Sequence, residues 1–362
     1  MRSRGGLNIA LGTLGVEDFL TPMAICLKCK IRTTEQTTML YPLRFTPIMR
    51  EMIWGGGRLG ASGKKAPRGV RAESVGESWE ISGLEEHESV AANGYLKSNS
   101  ISELIEVYMG ELVGDGVYDK FGLEFPLLLK FIDVRERLSV QVHPDDEFAR
   151  KEHGARGKTE MWYIVDATPD AAIFLDLKHP LTDEAYDLAV EQGTIEEHLN
   201  RIPVKRGDAF LIPAGTIHSI DKGVLLAEIQ ECSNITYRIH DWNRLDHNGR
   251  PRELHHDLAA QVVRLTPQEG LNITKEARRG EAVELVACDQ FCVNLIEVAG
   301  AIELDYAPLD SFVAYMCVEG EVSVSCCGES EKLGTLQTLL LPAEATDVVL
   351  KGSGRVLEVF IK

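Results

Sequence analysis

Two histidines stand where strand alternation can put them to use. In LSVQVHP, Leu138 to Pro144, the apolar Leu138, Val140 and Val142 point to one face, and Ser139, Gln141 and His143 to the other. Such a polar row belongs either to a solvent-facing edge strand or to a strand that lines a site. The second histidine ends GDAFLIPAGTIH, Gly207 to His218. This stretch reads as strand, tight turn and return strand, with Pro213 and Gly215 supplying the turn geometry. His218 opens the return strand and can aim its imidazole into a barrel. Glu160, in GKTEMWYI, adds a carboxylate. His143, His218, Glu160 and Gln141 together offer two imidazoles, a carboxylate and an amide oxygen. That set suits Zn²⁺ with one position left for water or substrate. It also suits Mn²⁺ or Fe²⁺, because affinity order alone does not select the occupant. Taken singly, each residue has a plainer reading, a satisfied core histidine or a surface charge. Their joint order, Gln-x-His, Glu, Pro-x-Gly-x-x-His, makes a metal site the expectation.

The elements that must position these groups are mostly short strands. ESWEIS, FPLLLKFIDV, LSVQVHP, EMWYIVDA, AAIFLDL, DAFLIPAG, TIHSID, GVLLAEIQEC and ITYRIHDW all read as strands. DDEFARKEHGARGKTE reads as a loop that leaves after Pro144 and returns with Lys158 and Glu160. Helices are expected over 100–114, capped by Ser100, and over 181–202, capped by Thr182 and interrupted near Gly193. Helices as insertions, without βαβ alternation, predict a mainly β sandwich or barrel. Beyond a connector over 251–275, the chain reads as strand and turn. The expected division is an extension over 1–38, a catalytic domain over 39–262 and a smaller β domain over 263–362, because MLYPLRFTP from Met39 reads as a fresh beginning.

The two halves echo each other. FLIPAGTIHSI (210–220) lies on LLLPAEATDVV (339–349), which sets His218 on Asp347. EMWYIVDATPDAAIFL lies on FVAYMCVEGEVSVSC, which sets Glu160 on Phe312. The echo predicts a second barrel copy that has lost the glutamate and histidine of the first.

Composition narrows the function classes. The 362 residues are 44% hydrophobic and 26% charged, an ordinary globular mix. A net charge of -18 opposes nonspecific binding to nucleic acid or anionic membrane. It leaves room for an anionic small-molecule substrate at a local cluster of Lys and Arg. The eight cysteines follow no framework, and the lone Cys26-x-x-Cys29 pair reads as incidental thiols in a reducing, cytoplasmic setting. No apolar run reaches the roughly 18 residues of a membrane span. Glu17 and Asp18 interrupt the apolar start, against a signal peptide.

The Pro-x-Gly-x-x-His segment resembles the second motif of the cupin superfamily, with Lys222 in place of the asparagine often found four residues after the histidine. Gln141-x-His143 followed by Glu160 resembles the first motif. LSVQVHPDDEFA, GKTEMWYI, LIPAGTIHSI and EIQECSNITYRIHDWNR are similar to the matching stretches of type I mannose-6-phosphate isomerases in their compact bacterial form. MIWGGGRL and GESWEIS are similar too. The resemblance spans roughly residues 39–262, is looser beyond, and does not reach 1–38. It implies a cupin jelly-roll barrel with helical insertions, a second smaller β-barrel, and one zinc ion per chain on Gln141, His143, Glu160 and His218. The implied reaction interconverts mannose 6-phosphate and fructose 6-phosphate by proton transfer through an enediol, in the cytoplasm. Arg238, Lys158 and Glu228 would be catalytic, and Ser139, Lys158 and Arg238 would bind substrate. The resemblance leaves the proton-transfer base among Glu228, Lys158 and a water on the metal. The large helical insertion of longer members is missing here, which leaves the phosphate contacts open. A different cupin sugar-phosphate isomerase, or a non-catalytic sugar-phosphate-binding cupin, is the alternative.

Overall fold

Antiparallel ladders build almost everything in the computed structural model, which describes residues 39–64, 66–246 and 248–362. Cys26, Cys29 and the extension over 1–38 lie outside the described residues. In chain order the strands are β1 (Ile48–Gly56), β2 (Val75–Ser82), β3 (Leu127–Asp133), β4 (Val140–Val142), β5 (Glu160–Ala167), β6 (Ala172–Leu177), β7 (Leu199–Pro203), β8 (Ala209–Ile212) and β9 (His218–Ile220). They continue with β10 (Val224–Glu231), β11 (Tyr237–His240), β12 (Ala282–Ala287), β13 (Cys292–Asp305), β14 (Val313–Cys326), β15 (Glu329–Gly334), β16 (Thr338–Leu341) and β17 (Asp347–Phe360). One sheet runs β1-β2-β3-β10-β5-β8 and a second β11-β4-β9-β6-β7. Together they form a jelly-roll barrel of the cupin kind. Trp162, Ile164, Leu226 and Ile132 fill its interior with Ile173, Leu175 and Ile220 from the opposite sheet.

A second barrel follows, with order β12-β13-β17-β14-β15 and β16 on β14. Strand alternation explains how the two barrels join. Met161, Tyr163 and Val165 point out of the first barrel and share one apolar cluster with Phe312, Ala314 and Met316 of the second. Residues 271–273 strap the free edge of β8, with Leu211 N donating to Leu271 O and Ile273 N to Ala209 O.

Two helical expectations are corrected. Ser100 caps the helix as expected, in a capping box with Glu103, but the helix spans Ile101–Tyr108 and breaks at Met109, whose φ is 46°. A separate turn, Gly110–Val113, follows. The helix expected over 181–202 spans Asp183–Glu191 and ends before Gly193, at φ 68°. Residues Leu199–Pro203 are strand β7, paired to β6. After buried Leu199, half-buried Asn200 and Ile202 alternate with exposed Arg201 and Pro203, which suits a sheet edge. The presumed loop after Pro144 carries a helix, Asp146–His153, capped by Asp145, whose side chain accepts from Phe148 N at 2.9 Å.

The repeat recurs in the central ladders. β10 lies between β3 and β5, and β17 between β13 and β14; β8 pairs β5 as β16 pairs β14. Glu160 faces Ile212, and Val313 faces Leu341. The glutamate therefore corresponds to Val313, one residue from the Phe312 of the sequence alignment. Phe312 belongs to the outward cluster, so a one-residue slip would have turned the ligand face outside in.

Candidate metal centre and substrate cavity

Ladder register assembles the site. On the inner face of the first sheet, Glu160 lies beside Gln230 on β10, and Gln230 beside Leu128. The next row runs Trp162, Glu228, Lys130, Trp79 and Ile48; the row after that runs Ile164, Leu226, Ile132, Glu77 and Arg50. In the second sheet Gln141 pairs Arg238 on one side and His218 on the other. The tight turn is tied to the first histidine: Gly215, at φ 85°, donates its N–H to His143 O at 2.8 Å. The capped helix delivers Lys158, because Lys158 N returns to Pro144 O at 2.9 Å. Gly157 lets that loop close, since a Cβ there would come within 2.5 Å of the Asp145 and Asp146 backbone.

His143, Glu160 and His218 meet, fully buried, with candidate ligand atoms all within 4.8 Å of one another. His143 Nε2 is 3.6 Å from Glu160 Oε2, and His218 Nε2 is 3.4 Å from Glu160 Oε1. Each imidazole is oriented from behind. His143 Nδ1 sits 2.9 Å from Ile235 O, and His218 Nδ1 2.8 Å from Thr216 O. A carbonyl can only accept, so both Nδ1 atoms carry the proton and both Nε2 lone pairs face the cluster. Burial, then the Lys158 charge, holds His143 well below its usual pKa; burial takes His218 to about 4. Both rings are neutral at pH 7, the form that ligates.

Glu160 has two buried oxygens without a directed hydrogen bond among the described residues. Lys158 Nζ makes a charge contact with Oε2 at 2.7 Å and lies 3.1 Å from His143 Nε2. Burial pushes the Glu160 pKa up to about 7 against the pull of that ammonium. A dry carboxylate between two imidazole lone pairs is a place for a cation, and the cluster could hold a metal ion. The Gln141 amide lies 3.2 Å from His218 Nε2.

Gln141 and Lys158 also line a cavity of about 300 Å³. Ser139, Glu228 and Arg238 share its wall, so every residue picked from the sequence is either in the cluster or on this cavity. Ser139 Oγ reaches Gln141 Oε1 at 3.4 Å. Arg238 donates from a terminal nitrogen to Glu253 O at 2.7 Å, while its Nε is buried without a partner among the described residues. Burial and the neighbouring Arg252 lower its pKa. Glu228 accepts from Lys130 at 2.9 Å and from Trp162 Nε1 at 3.0 Å. Burial alone would raise its pKa, but the Lys130 and Lys158 charges outweigh that and hold it at about 2.

Lys130, Trp162, Trp79, Arg50 and Arg252 also line the cavity and were not picked from the sequence. Lys130 had a legible signal, a lone charge amid the apolar run LLLKFID; the others carried none. In the second barrel the same ladder positions hold Val313 for Glu160, Asp347 for His218, Asp305 for Gln141 and Asn294 for Lys130. Only Glu228 keeps its type, as Glu358, facing Tyr315 where the first barrel has Trp162.

A jelly roll with a buried His, Glu, His cluster opening on a cavity of mixed charge defines a cupin enzyme site able to bind metal. Residues 42–173 match the family model for the catalytic domain of type I phosphomannose isomerase. The chain is 36% identical to the mannose-6-phosphate isomerase ManA of Bacillus subtilis over 286 residues, 77% of this chain and 86% of that one. It is 33% identical to a mannose-6-phosphate isomerase of Streptococcus mutans, over 79% of this chain and 88% of that one. The crystal structure of a mannose 6-phosphate isomerase from Bacillus subtilis superposes with a TM-score of 0.79 at 33% identity, covering 88% of this chain and 99% of that one. A phosphomannose isomerase variant from Salmonella typhimurium, at 16% identity and a TM-score of 0.72, shares the fold. The chain belongs to the type I mannose-6-phosphate isomerase family and is an isomerase acting on a small molecule. No helix among the described residues is long and apolar enough to cross a membrane.

Proposed function

We propose that the chain interconverts mannose 6-phosphate and fructose 6-phosphate by moving a proton between C1 and C2 through an enediol, with one zinc ion held by Gln141, His143, Glu160 and His218. The observation that carries this reading is the buried Glu160 carboxylate set between two Nε2 lone pairs, with Lys158 Nζ as its ammonium partner at 2.7 Å. Two nitrogens and a carboxylate oxygen suit zinc, and a half-turn of the Gln141 amide adds its oxygen. When bound, zinc supplies Lewis-acid polarisation of the substrate's carbonyl and hydroxyl oxygens.

The protein's own groups do the rest. Arg238, beside Gln141 in the ladder, places a permanent positive charge and an unpartnered Nε next to the reacting oxygens. Lys158 and Glu228 are the proton carriers that the cavity offers next to the ligand set. Glu228 at rest is ionised and a weak base, so it also serves to keep the Lys130 ammonium aimed into the cavity. Ser139, whose Oγ lies 3.4 Å from Gln141 Oε1, binds the substrate at the end of the cavity beside the ligand set. Trp162 and Ile132 bring part of the apolar cluster to the cavity wall and limit water near the transferred proton. The chemistry is assigned to residues 39–262 and a supporting role to 263–362, with 1–38 an extension. The replaced ligand positions of the second barrel support that division.

Metal analysis of the purified protein, coupled to an assay on mannose 6-phosphate, tests the reading. His218→Ala is expected to lose bound zinc and isomerase activity together. Full activity of that variant without metal overturns the proposal.

A further inference from the structure

We infer that Arg50 is the anchor for the substrate's phosphate, at the end of the cavity remote from the metal ligands; this rests on the function proposed above. Five cations line the cavity: Arg50, Lys130, Lys158, Arg238 and Arg252. Three are committed to carboxylates. Lys130 pairs Glu228, Lys158 pairs Glu160, and Arg252 grips Asp241, with its Nε 2.6 Å from Oδ2. Arg238 stands in the ligand row. Among these, the Arg50 side chain alone makes no hydrogen bond or ion pair with any described residue, and its contact is the Trp79 ring.

Its guanidinium is nonetheless held in place, stacked on the Trp79 ring at 4.6 Å. Stacking fixes the plane and leaves the N–H fork free, which is the arrangement that recognises a phosphate through paired hydrogen bonds. Glu77, directly across the ladder, makes no ion pair with it; the Glu77 carboxylate instead accepts from Trp79 Nε1 at 2.6 Å.

Position decides the assignment. A hexose 6-phosphate carries its reacting carbons and its phosphate at opposite ends of the chain. The phosphate cation must therefore be remote from the ligand set, which rules out Lys158. Arg50 stands two ladder rows along the strands and four strands across the sheet from Glu160, and lines the same cavity as Gln141 and Lys158. β1 is also the edge strand of its sheet, and Arg50 is half-buried there. In a chain of net charge -18, an unpaired guanidinium in a cavity is a directed exception.

The test uses the full-length protein with its metal bound. Arg50→Gln is expected to raise KM for mannose 6-phosphate about tenfold or more, the loss of one charge-assisted contact, with kcat changed less than about threefold. Its metal content should equal wild type, and calorimetric binding of inorganic phosphate should weaken by a similar factor. Arg50→Lys, which keeps the charge and loses the planar fork, should fall between the two and serves if Arg50→Gln does not fold. Unchanged KM and unchanged phosphate binding in a folded, metal-loaded variant overturn the assignment. So does a collapse of kcat at constant KM. A wild-type protein with zinc but no turnover of mannose 6-phosphate sinks the proposed function instead, and the phosphate titration of wild type against Arg50→Gln still decides the role of Arg50.

Discussion

Lys130→Met should destabilise the protein by about 3 kcal/mol or more at pH 7, through Glu228 rather than through lost packing. Both partners are buried, with side-chain exposures of 6% and 5%. Removing one member of a buried pair typically costs about 3–5 kcal/mol, because the other charge is left in a dry interior. Titration gives a second route to the magnitude. Glu228 is held at about 2 instead of the ordinary 4.5, which corresponds to about 3 kcal/mol at roughly 1.4 kcal/mol per pH unit. The second figure is the net effect of the Lys130 and Lys158 charges and the Trp162 bond against burial, so the two are not added. Lys130 also donates to Gln230 Oε1 at 2.6 Å, so the methionine strands a second acceptor, worth about 1 kcal/mol. The sign with pH follows from the depressed value. The stabilisation is present above pH 4.5 and is lost as pH falls toward 2. Wild type should therefore lose about 3 kcal/mol over that limb, and Lys130→Met should lose much less, because it has already lost the contribution.

The assay is a double-mutant cycle of Lys130→Met, Glu228→Gln and the pair, followed by thermal unfolding from pH 7 to pH 3. At roughly 2 °C per kcal/mol for a chain of this size, Lys130→Met should unfold about 6 °C or more below wild type. The double variant should recover much of that loss, since an uncharged amide can stay buried and keep its bond from Trp162. A coupling below about 1 kcal/mol, or an acid limb in Lys130→Met as steep as in wild type, would refute the reasoning.

Arg238→Ala should keep its zinc and lose turnover, because Arg238 touches neither histidine nor Glu160; loss of zinc in that variant would make the residue structural. In the second barrel, Glu358 accepts from Tyr306 and from Asn294, the latter at 2.6 Å, and burial raises its pKa. A raised folded value means stability that is full at low pH and declines as pH rises above the ordinary carboxylate range. Glu358→Gln should flatten that decline, read as the difference between two curves of Tm against pH; parallel curves would show that the carboxyl does not titrate in that range.

Period-two alternation and the turn chemistry of Pro213 and Gly215 made most strands legible, because both are local properties of the backbone. The same alternation put Gln141 and His143 on one face, and the motif order marked Glu160 and His218. The helix boundaries were less legible where Met109 and Gly193 take positive φ and the following residues find sheet or turn partners. What only the tertiary structure decided is which side chains share a row. Lys130 and Glu228 are 98 residues apart, and Arg50 and Glu77 meet across a ladder with irregular register. Register depends on closure of the whole barrel, and no local preference encodes it. The chain by itself therefore singled out the candidate donors for a metal, two imidazoles, a carboxylate and an amide. The fold decided that the carboxylate is dry, that each imidazole turns its Nε2 inward, and that one arginine at the far end of the cavity is left without a partner.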